Sequence, residues 1–364
     1  MHRIRAIALG LALLLVGAAA GWFGHAWVPT PMYRGSVISD NNSGYSLIDP
    51  VLAFDVGPQE AFPELNPIKQ SLQNVISSEI NTGQVQDVSI YFRLLKSSKW
   101  FDINPSDTYA PASLLKVFIM TSYYKENEDY PGVLDKQLVY QGSPTPADDD
   151  PGEVIPHLTN GKLYAVRDII KQMIIYSDND AFNTLVDNFD AHTLEAFNGI
   201  FTDLNIPSPE TQSESDLQFM TVSSYATIFR VLFSATYLSQ KDSETALALL
   251  ADAQYKDGIV AGVPAGITVA HKFGVRSIPA SGNTPAASEL HDCGIIYYPN
   301  HPYLLCVMTQ GSNFAALQDD LQQLSKTAYK AIDVYYANRP TTTSATTSLG
   351  HSPATGEATS STGK

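Results

Sequence analysis

Residues 109–116 read Tyr-Ala-Pro-Ala-Ser-Leu-Leu-Lys, and here the predicted structure changes from strands to helices. Before this stretch, Val88–Leu95 is dense in β-branched and aromatic residues, which predicts a strand, and Lys99–Ile103 is its expected hairpin partner. After it, an apolar run predicts a helix that continues to Tyr124. Ser113 therefore falls in the first turn of a helix, where backbone N–H groups have no intrahelical partner.

Predicted strands lie near both ends of the folded region, and predicted helices lie between them. Strands separated in this way usually rejoin as one sheet. We therefore expect an α+β fold, in which an antiparallel sheet flanked by helices carries an inserted all-helical subdomain, with the ligand cleft between the two parts. The later strands are Thr268–Phe273, Ala287–Tyr297 and Tyr303–Thr309, and the helices are Pro67–Ile80, Ser113–Tyr124, Ala165–Ile175, Ala181–Asp187, Leu194–Leu204, Ser223–Leu238, Glu244–Ala253 and Ala315–Tyr336.

The N-terminal residues carry an export signal. His2, Arg3 and Arg5 precede an apolar run from Ala6 to about Phe23 that contains no acid or base. Residues 1–28 are thus either a cleaved secretory signal peptide or a retained membrane anchor. In both cases the rest of the chain is predicted to be extracytoplasmic, as a membrane-anchored or secreted protein of a bacterial cell envelope.

Two further segments differ from the folded region in composition. Residues 29–62 are rich in Pro, Gly, Asn and Ser, which predicts a spacer. Residues 340–364 are mostly Thr, Ser, Ala and Gly and bury too little apolar surface to order, which predicts a disordered tail. The folded domain is therefore predicted to span residues 63–339.

The overall composition excludes some classes of partner. The 364-residue chain has a formal net charge of -15 and no Lys/Arg cluster, which argues against nucleic-acid binding. Its eight histidines show no ligand-spaced cluster, so no metal site is predicted. We expect a monomer that binds a small molecule or peptide.

Two cysteines, Cys293 and Cys306, flank a predicted hairpin whose turn is Pro299-Asn300. A hairpin centred between these turn residues places the two cysteines directly opposite each other. Outside the cytoplasm such a pair can form a disulfide, provided that its geometry permits bridging. The alternative is two small apolar core residues.

Ser113 and Lys116 have the spacing of a nucleophile and its base. Lys116 lies one helical turn beyond Ser113 on the same face. A serine hydroxyl is a poor nucleophile at neutral pH, and a partly buried lysine near a second cation can lose its proton and act as the base. The pattern recurs at Ser122–Lys125 and at Ser361–Lys364, so order and context favour Ser113. The alternative is a helix-capping serine followed by a solvated lysine.

Ser177-Asp178-Asn179 follows an amphipathic helical pattern. Ser, Asp and Asn are the residues that most often cap helix N-termini. We expect Asp178 to cap the next helix while Ser177 and Asn179 face the cleft.

Lys272-Phe273-Gly274 ends an apolar predicted strand. Lys272 can attract an anionic group of a substrate, and Gly274 permits close approach of a substrate backbone. A strand lysine before a turn is the plainer interpretation.

Together these strings resemble the class A β-lactamase and penicillin-binding serine hydrolase superfamily, which has S-x-x-K, S-D-N and K-T-G motifs in this order. The motifs are separated by 64 and 95 residues, close to class A spacing, and the resemblance extends from about Pro67 to Tyr336. Flanking strings that resemble the superfamily are Met173-Ile174-Ile175-Tyr176, Gly262-Val263-Pro264-Ala265-Gly266 and His291-Asp292-Cys293-Gly294-Ile295.

The resemblance implies an enzyme that needs no metal and no cofactor. Ser113 would attack a β-lactam or peptide carbonyl with Lys116 as base, and the N–H groups of Ser113 and Val275 would form the oxyanion hole. It further implies that Ser177 passes a proton to the leaving nitrogen, Asn179 binds the substrate amide, and Lys272 attracts the substrate carboxylate.

The chain departs from the superfamily pattern at Phe273, where Thr or Ser is common. One hydroxyl contact to a substrate carboxylate is therefore absent, and Arg276 is a candidate to compensate for it.

A second departure concerns deacylation. No E-x-x-L-N string is present, because Phe201 stands at the Glu position before Leu204-Asn205. Glu210 and Glu214, in a polar loop, are the remaining candidates for the deacylating base, or else solvated loop acids.

Three functions remain. The first is a class A-type serine hydrolase that opens a β-lactam through an acyl-enzyme on Ser113. The others are a D-alanyl-D-alanine peptidase acting on cell-wall peptides and a penicillin-binding sensor that does not hydrolyse its adduct. The missing deacylating Glu favours the latter two.

Overall fold

A computed structural model describes residues 38–39, 44–53, 62–97, 99–141, 158–209, 217–280 and 286–338. The predicted signal peptide or anchor at residues 1–28 and the predicted tail at 340–364 lie outside these ranges, as do Glu210 and Glu214. Within the described ranges, no helix combines the length and the apolar content that crossing a membrane requires.

The described residues form eleven strands and eight α-helices. The strands are β1 (Ile38–Ser39), β2 (Val51–Ala53), β3 (Val85–Leu94), β4 (Trp100–Ile103), β5 (Thr108–Tyr109), β6 (Gln137–Val139), β7 (Leu163–Ala165), β8 (Met220–Thr221), β9 (Val269–Ile278), β10 (Ala287–Ile296) and β11 (Tyr303–Gly311). The helices are α1 (Asn66–Thr82), α2 (Leu115–Asp129), α3 (Val166–Ile175), α4 (Asn179–Asp187), α5 (Ala191–Asp203), α6 (Val222–Phe233), α7 (Gln240–Ala251) and α8 (Phe314–Ala337).

One five-stranded antiparallel sheet unites the two ends of the domain. Its order is β4-β3-β11-β10-β9, so a hairpin from before the helical part pairs with three strands from after it. The helices α2 to α7 lie between these strand groups in the sequence. The predicted α+β fold, an antiparallel sheet with an inserted helical part, is therefore confirmed.

The sheet is buried on both faces. Along β9 the side chains alternate, with Ala270 in the core shared with α2 to α7 and Val269 in the core shared with α1 and α8. Each fully buried Val, Leu or Ile side chain contributes about 1.5–3 kcal/mol relative to exposure. Two apolar cores thus fix β9 and β10 from opposite sides.

The boundary between α6 and α7 differs from the prediction. We expected one helix to continue to Leu238, but α6 ends at Phe233 and the chain turns through Ala235, which has a φ of 48°. The next helix starts earlier than Glu244 because Ser239 caps it, with its Oγ accepting the N–H of Asp242 at 3.2 Å. The prediction was wrong because the apolar periodicity of the sequence continues across this turn, which is visible only in the backbone conformation.

Part of the predicted spacer contacts the domain. The Glu244 carboxylate accepts the backbone N–H groups of Ser46, Leu47 and Ile48 at 2.9–3.2 Å. Ile48 is buried in the core shared with the helical part, and Tyr297 donates its hydroxyl to the Leu47 carbonyl at 2.8 Å. Residues 46–48 therefore belong structurally to the folded domain.

Two small sheets were not predicted. β5 pairs with β8, and β6 pairs with β7, each over two or three residues. Runs this short have no detectable alternation. The β5–β8 pair lies immediately before the segment that carries Ser113, and so it anchors the approach to that residue.

Candidate active site

Ser113 lies in a tight backbone turn between the sheet and α2. The turn is a 3₁₀ segment, Ala112–Leu114, and the α-helix begins only at Leu115, so Ser113 lies just before the α-helix and not in its first turn as predicted. Ala112 has a φ of 48°, a left-handed conformation that costs a non-glycine residue about 1–3 kcal/mol. Such strain is typical of functional turns that the surrounding structure holds in place.

Lys116 is buried and contacts the Ser113 hydroxyl directly. Its Nζ lies 3.0 Å from Ser113 Oγ and 2.7 Å from Asn179 Oδ1, and it also donates to the carbonyl of Ser177. Only 2% of the Lys116 surface is exposed. A buried ammonium group is tolerated when its N–H donors have partners, and these contacts supply them.

The second motif is shaped by a helix cap. Asp178 Oδ1 accepts the N–H groups of Asp180 and Ala181 at 2.7 and 3.0 Å, as the sequence predicted. Ser177, immediately before it, has a φ of 56°. The cap and this left-handed turn fix the Ser177 and Asn179 side chains against Lys116.

Lys272, on β9 of the sheet, contacts the Ser177 hydroxyl. Its Nζ donates to Ser177 Oγ at 2.8 Å and to the Phe273 carbonyl at 2.8 Å, while Lys116 Nζ lies 3.3 Å from Ser177 Oγ. Four polar side chains, those of Ser113, Lys116, Ser177 and Lys272, therefore form one continuous hydrogen-bonded chain. The three motifs, far apart in sequence, meet at one place.

Position 274 requires a glycine because the turn that carries Ser113 lies too close to leave room for a Cβ atom. A Cβ at this position would lie 2.9 Å from the Pro111 carbonyl oxygen and 3.0 Å from Leu114 Cγ. β9 thus packs directly against the turn that carries Ser113. We had expected the glycine to make room for a substrate backbone, but its close neighbour is the nucleophile's turn. Val275 follows on β9, which is an edge strand of the sheet.

An aromatic pair occupies the position where the resemblance expects a hydroxyl. The rings of Phe273 and Tyr255 stack with centroids 4.1 Å apart. Lys272 Nζ lies 4.2 Å from the Phe273 centroid, a distance at which a cation is attracted by the ring face.

A buried His–Asp pair supports β9 from the opposite face. His271 Nδ1 lies 2.8 Å from Asp292 Oδ1, and Asp292 Oδ2 accepts the Ile259 N–H at 2.9 Å. A Cβ on Gly258 would lie 2.1 Å from Asp292 Oδ2, which explains that glycine. This pair was not predicted from the sequence. Phe273, two residues after His271 on β9, lies opposite Asp292 on β10, and this register is what brings His271 near Asp292.

His291 ties β10 to the segment that precedes the nucleophile. Its Nε2 donates to the Ala110 carbonyl at 3.1 Å, and its Nδ1 accepts the Thr309 N–H at 3.3 Å. Burial lowers the pKa of His291 to about 4, so the ring is neutral, in agreement with one donating and one accepting nitrogen.

Arg276, the candidate for holding a substrate carboxylate, lies beside a buried acid. Its NH1 atom is 4.0 Å from Glu289 Oε2, and Gln218 donates to Glu289 Oε1 at 2.8 Å. Burial raises the pKa of the Glu289 carboxyl. The positive charge of Arg276 is therefore already close to a protein carboxyl group.

Cys293 and Cys306 lie opposite each other on β10 and β11, as the hairpin spacing predicted. Their Cα atoms are 4.0 Å apart, and the two Sγ atoms are joined as a disulfide. Cys293 also lies opposite Lys272 on β9. Among the described residues no group of three or more His, Cys, Asp or Glu side chains is arranged to hold a metal ion.

Comparison with known proteins gives the family and the fold of the chain. The family described as the beta-lactamase enzyme family matches residues 67–332. No curated protein sequence matches the chain significantly.

Solved structures share the fold at low sequence identity. PBP-A is 19% identical with a TM-score of 0.58, over 73% of this chain and 96% of its own. A beta-lactamase from Sphaerobacter thermophilus is 22% identical with a TM-score of 0.59, over 73% and 97%. A class A beta-lactamase from Mycobacterium abscessus is 18% identical with a TM-score of 0.58, over 72% and 99%. With most of its length matched by the family, this chain belongs to the beta-lactamase enzyme family.

Proposed function

We propose that this protein is a serine acyl-transfer hydrolase that opens a β-lactam amide through an acyl-enzyme on Ser113. The observation that carries the proposal is the continuous chain from Ser113 through Lys116 and Ser177 to Lys272. A hydroxyl activated by an adjacent base, with a second hydroxyl between two amines, has the parts that nucleophilic acyl transfer requires.

Acylation begins at the contact between Ser113 and Lys116. As a neutral amine, Lys116 Nζ takes the Ser113 hydroxyl proton while Ser113 Oγ attacks the carbonyl carbon. The negative charge that develops on the carbonyl oxygen is stabilised by backbone N–H groups, for which those of Ser113 and Val275 are the candidates. Gly274 keeps β9 and the nucleophile's turn in contact, and so sets the distance between those two residues.

Collapse of the tetrahedral intermediate requires a proton at the leaving nitrogen. Ser177 Oγ lies within hydrogen-bond distance of both amines, so it can donate its proton to that nitrogen and be reprotonated from Lys116. The carbon–nitrogen bond then breaks, leaving the acyl group as an ester on Ser113. Lys272 keeps Ser177 Oγ oriented throughout.

A second candidate function is a penicillin-binding protein that keeps a β-lactam as a lasting adduct, either a D-alanyl-D-alanine peptidase acting on cell-wall peptides or a sensor that does not hydrolyse its adduct. It is favoured by the absence of an E-x-x-L-N string and by Phe201, which is buried in the helical core where that string would place Glu. PBP-A, a structural neighbour, has been solved as a mutant in an acyl-enzyme complex with penicillin G.

The test is incubation of the full chain with a chromogenic cephalosporin, followed by intact-mass and peptide analysis. Rapid colour change with free enzyme at the end supports a hydrolase. A lasting adduct on Ser113 supports the second candidate.

Ser113→Ala should abolish both the adduct and the colour change. Ser122→Ala is the matched control, because Ser122 begins a second S-x-x-K string yet its hydroxyl is buried and donates to the Ile119 carbonyl at 2.8 Å. Labelling that persists in Ser113→Ala would show that the nucleophile is wrong.

We also propose that the domain acts outside the cytoplasm. The apolar N-terminal run and the joined cysteine pair support this location. In intact cells that express the full chain, externally added protease or a membrane-impermeant label should reach the domain. Protection equal to that of a cytoplasmic marker would contradict it.

A further inference from the structure

Lys272 is the amine that the resemblance assigns to a substrate carboxylate, but its charge is already engaged. Its surface is only 1% exposed. Its Nζ donates to Ser177 Oγ and to the Phe273 carbonyl, both at 2.8 Å, and the Phe273 ring covers another side at 4.2 Å from the ring centroid. These contacts and the ring leave little of Lys272 open to an incoming carboxylate.

The ring that covers Lys272 is held firmly. Phe273 is only 8% exposed and stacks on Tyr255, which is equally buried. Tyr255 lies shortly before the 3₁₀ segment Ile259–Gly262, whose first N–H donates to Asp292 on β10. The aromatic pair is thus backed by the buried His–Asp contact, and rotation of Phe273 away from Lys272 would break the stack.

The other cation on this part of β9 is also compensated. Arg276 NH1 lies 4.0 Å from Glu289 Oε2, and this carboxyl is completely buried. Moving Arg276 toward a substrate would leave that buried acid further from its cation, at a cost. Neither cation of residues 272–276 is therefore well placed to hold an anion, and residue 273 provides no hydroxyl.

From these contacts we infer that Phe273 is a specificity-determining residue, and that Ser113 accepts acyl donors that carry no carboxylate beside the scissile amide. The inference rests on the proposed function. The preferred donor carries a neutral group where a carboxylate would otherwise approach Lys272. The reaction is otherwise unchanged: the Ser113 Oγ–carbon bond forms, the carbon–nitrogen bond breaks, and the serine proton reaches the leaving nitrogen through Lys116 and Ser177.

Benzylpenicillin and its methyl ester test this directly, because they differ only at the carboxyl group, which is ionised in the acid and neutral in the ester. The second-order rate constant for acylation of Ser113 is measured for each on the full chain, by intact mass where an adduct accumulates and as kcat/KM for consumption of the compound where it turns over. For the wild type we expect the two rate constants to agree within about threefold, since no hydrogen bond to a charged group is gained by the free acid.

Phe273→Thr restores a hydroxyl and uncovers Lys272, so the ratio of acid to ester rate constants should rise about tenfold, the effect of about 1.4 kcal/mol. Phe273→Leu uncovers Lys272 without adding a hydroxyl and should raise the ratio by about threefold. Because the ratio compares two probes on one protein, a general loss of stability in either variant cancels.

The possible outcomes distinguish failure of the inference from failure of the proposed function. A wild type that reacts more than tenfold faster with the free acid, or a ratio unchanged in Phe273→Thr, overturns the inference and leaves acyl transfer intact. If neither compound is consumed and neither leaves an adduct on Ser113, the proposed function is overturned, and the inference with it.

Discussion

On the face of the sheet that carries α2 to α7, the buried amines of Lys116 and Lys272 both contact Ser177 Oγ, and each also donates to a backbone carbonyl. In the layer formed by α1 and α8 on the other face, the carboxyl of Asp320 is equally buried, and neither of its oxygens has a hydrogen-bond partner among the described residues. Burial of an ionisable group is tolerated best where partners replace water. The first region therefore keeps two hydrogen-bonded amines available for chemistry, whereas the second favours the neutral acid.

The largest expected effect tests whether Lys116 is the base that activates Ser113. Lys116→Met keeps most of the side-chain volume and removes the base, so labelling of Ser113 by benzylpenicillin should slow by about 10³-fold, within the range of general-base effects. Rate constants for adduct formation provide the measurement.

Lys125→Met is the matched control, since Lys125 completes the second S-x-x-K string but forms an ion pair with Glu128 at 3.3 Å. It should react at the wild-type rate. A Lys116→Met variant that acylates normally would mean that the contact with Ser113 is only structural.

The next effect tests Asp320, the buried acid without a hydrogen-bond partner among the described residues. Burial, with a smaller contribution from the nearby Glu79, raises the pKa of Asp320 from 3.8 to about 7. Below pH about 4 the carboxyl is protonated in both the folded and unfolded states, so its burial does not lower the free energy of unfolding. Between pH 4 and 7 the unfolded chain ionises first, so the stability contributed by the neutral acid is lost as pH rises, and the loss is complete above pH 7.

Asp320→Asn removes this dependence. Relative to the variant, the free energy of unfolding of the wild type should fall across pH 4–7 by up to about 4 kcal/mol. Denaturant unfolding at several pH values measures it. Asp319→Asn, at the exposed neighbouring position, should leave the pH profile unchanged. Parallel profiles for the wild type and Asp320→Asn would show that the acid has a partner in solution.

The sequence predicted the long elements well, for a physical reason. α3 and β10 follow the predicted ranges almost to the residue, because many apolar side chains share one period and one core. The motifs were also predictable, since Ser113, Lys116 and Ser177 are distinctive in their order. The register of Cys293 opposite Cys306 followed from turn symmetry alone.

What the sequence could not predict depends on tertiary proximity. Gly274 and the Pro111 carbonyl meet only once β9 packs on the nucleophile's turn. The stack of Tyr255 on Phe273 and the pairing of Glu289 with Arg276 join residues that local patterns treat separately. The inferred specificity depends on these contacts, and the sequence alone could not have suggested it.

The smallest expected effect concerns residues 46–48, which are held both by hydrogen bonds and by apolar burial. The Glu244 carboxylate accepts three backbone N–H groups there, and Ile48 adds apolar burial. Glu244→Gln replaces one accepting oxygen by a donor that faces other donors, so the free energy of unfolding should fall by about 1 kcal/mol. Because Ile48 still anchors the segment, the change should be mainly local. Hydrogen exchange at residues 46–48 should become about fivefold faster, the factor that corresponds to about 1 kcal/mol. Glu195→Gln, an exposed change on α5, is the control. If exchange at residues 46–48 is unaffected, apolar burial alone holds the segment and the carboxylate is dispensable.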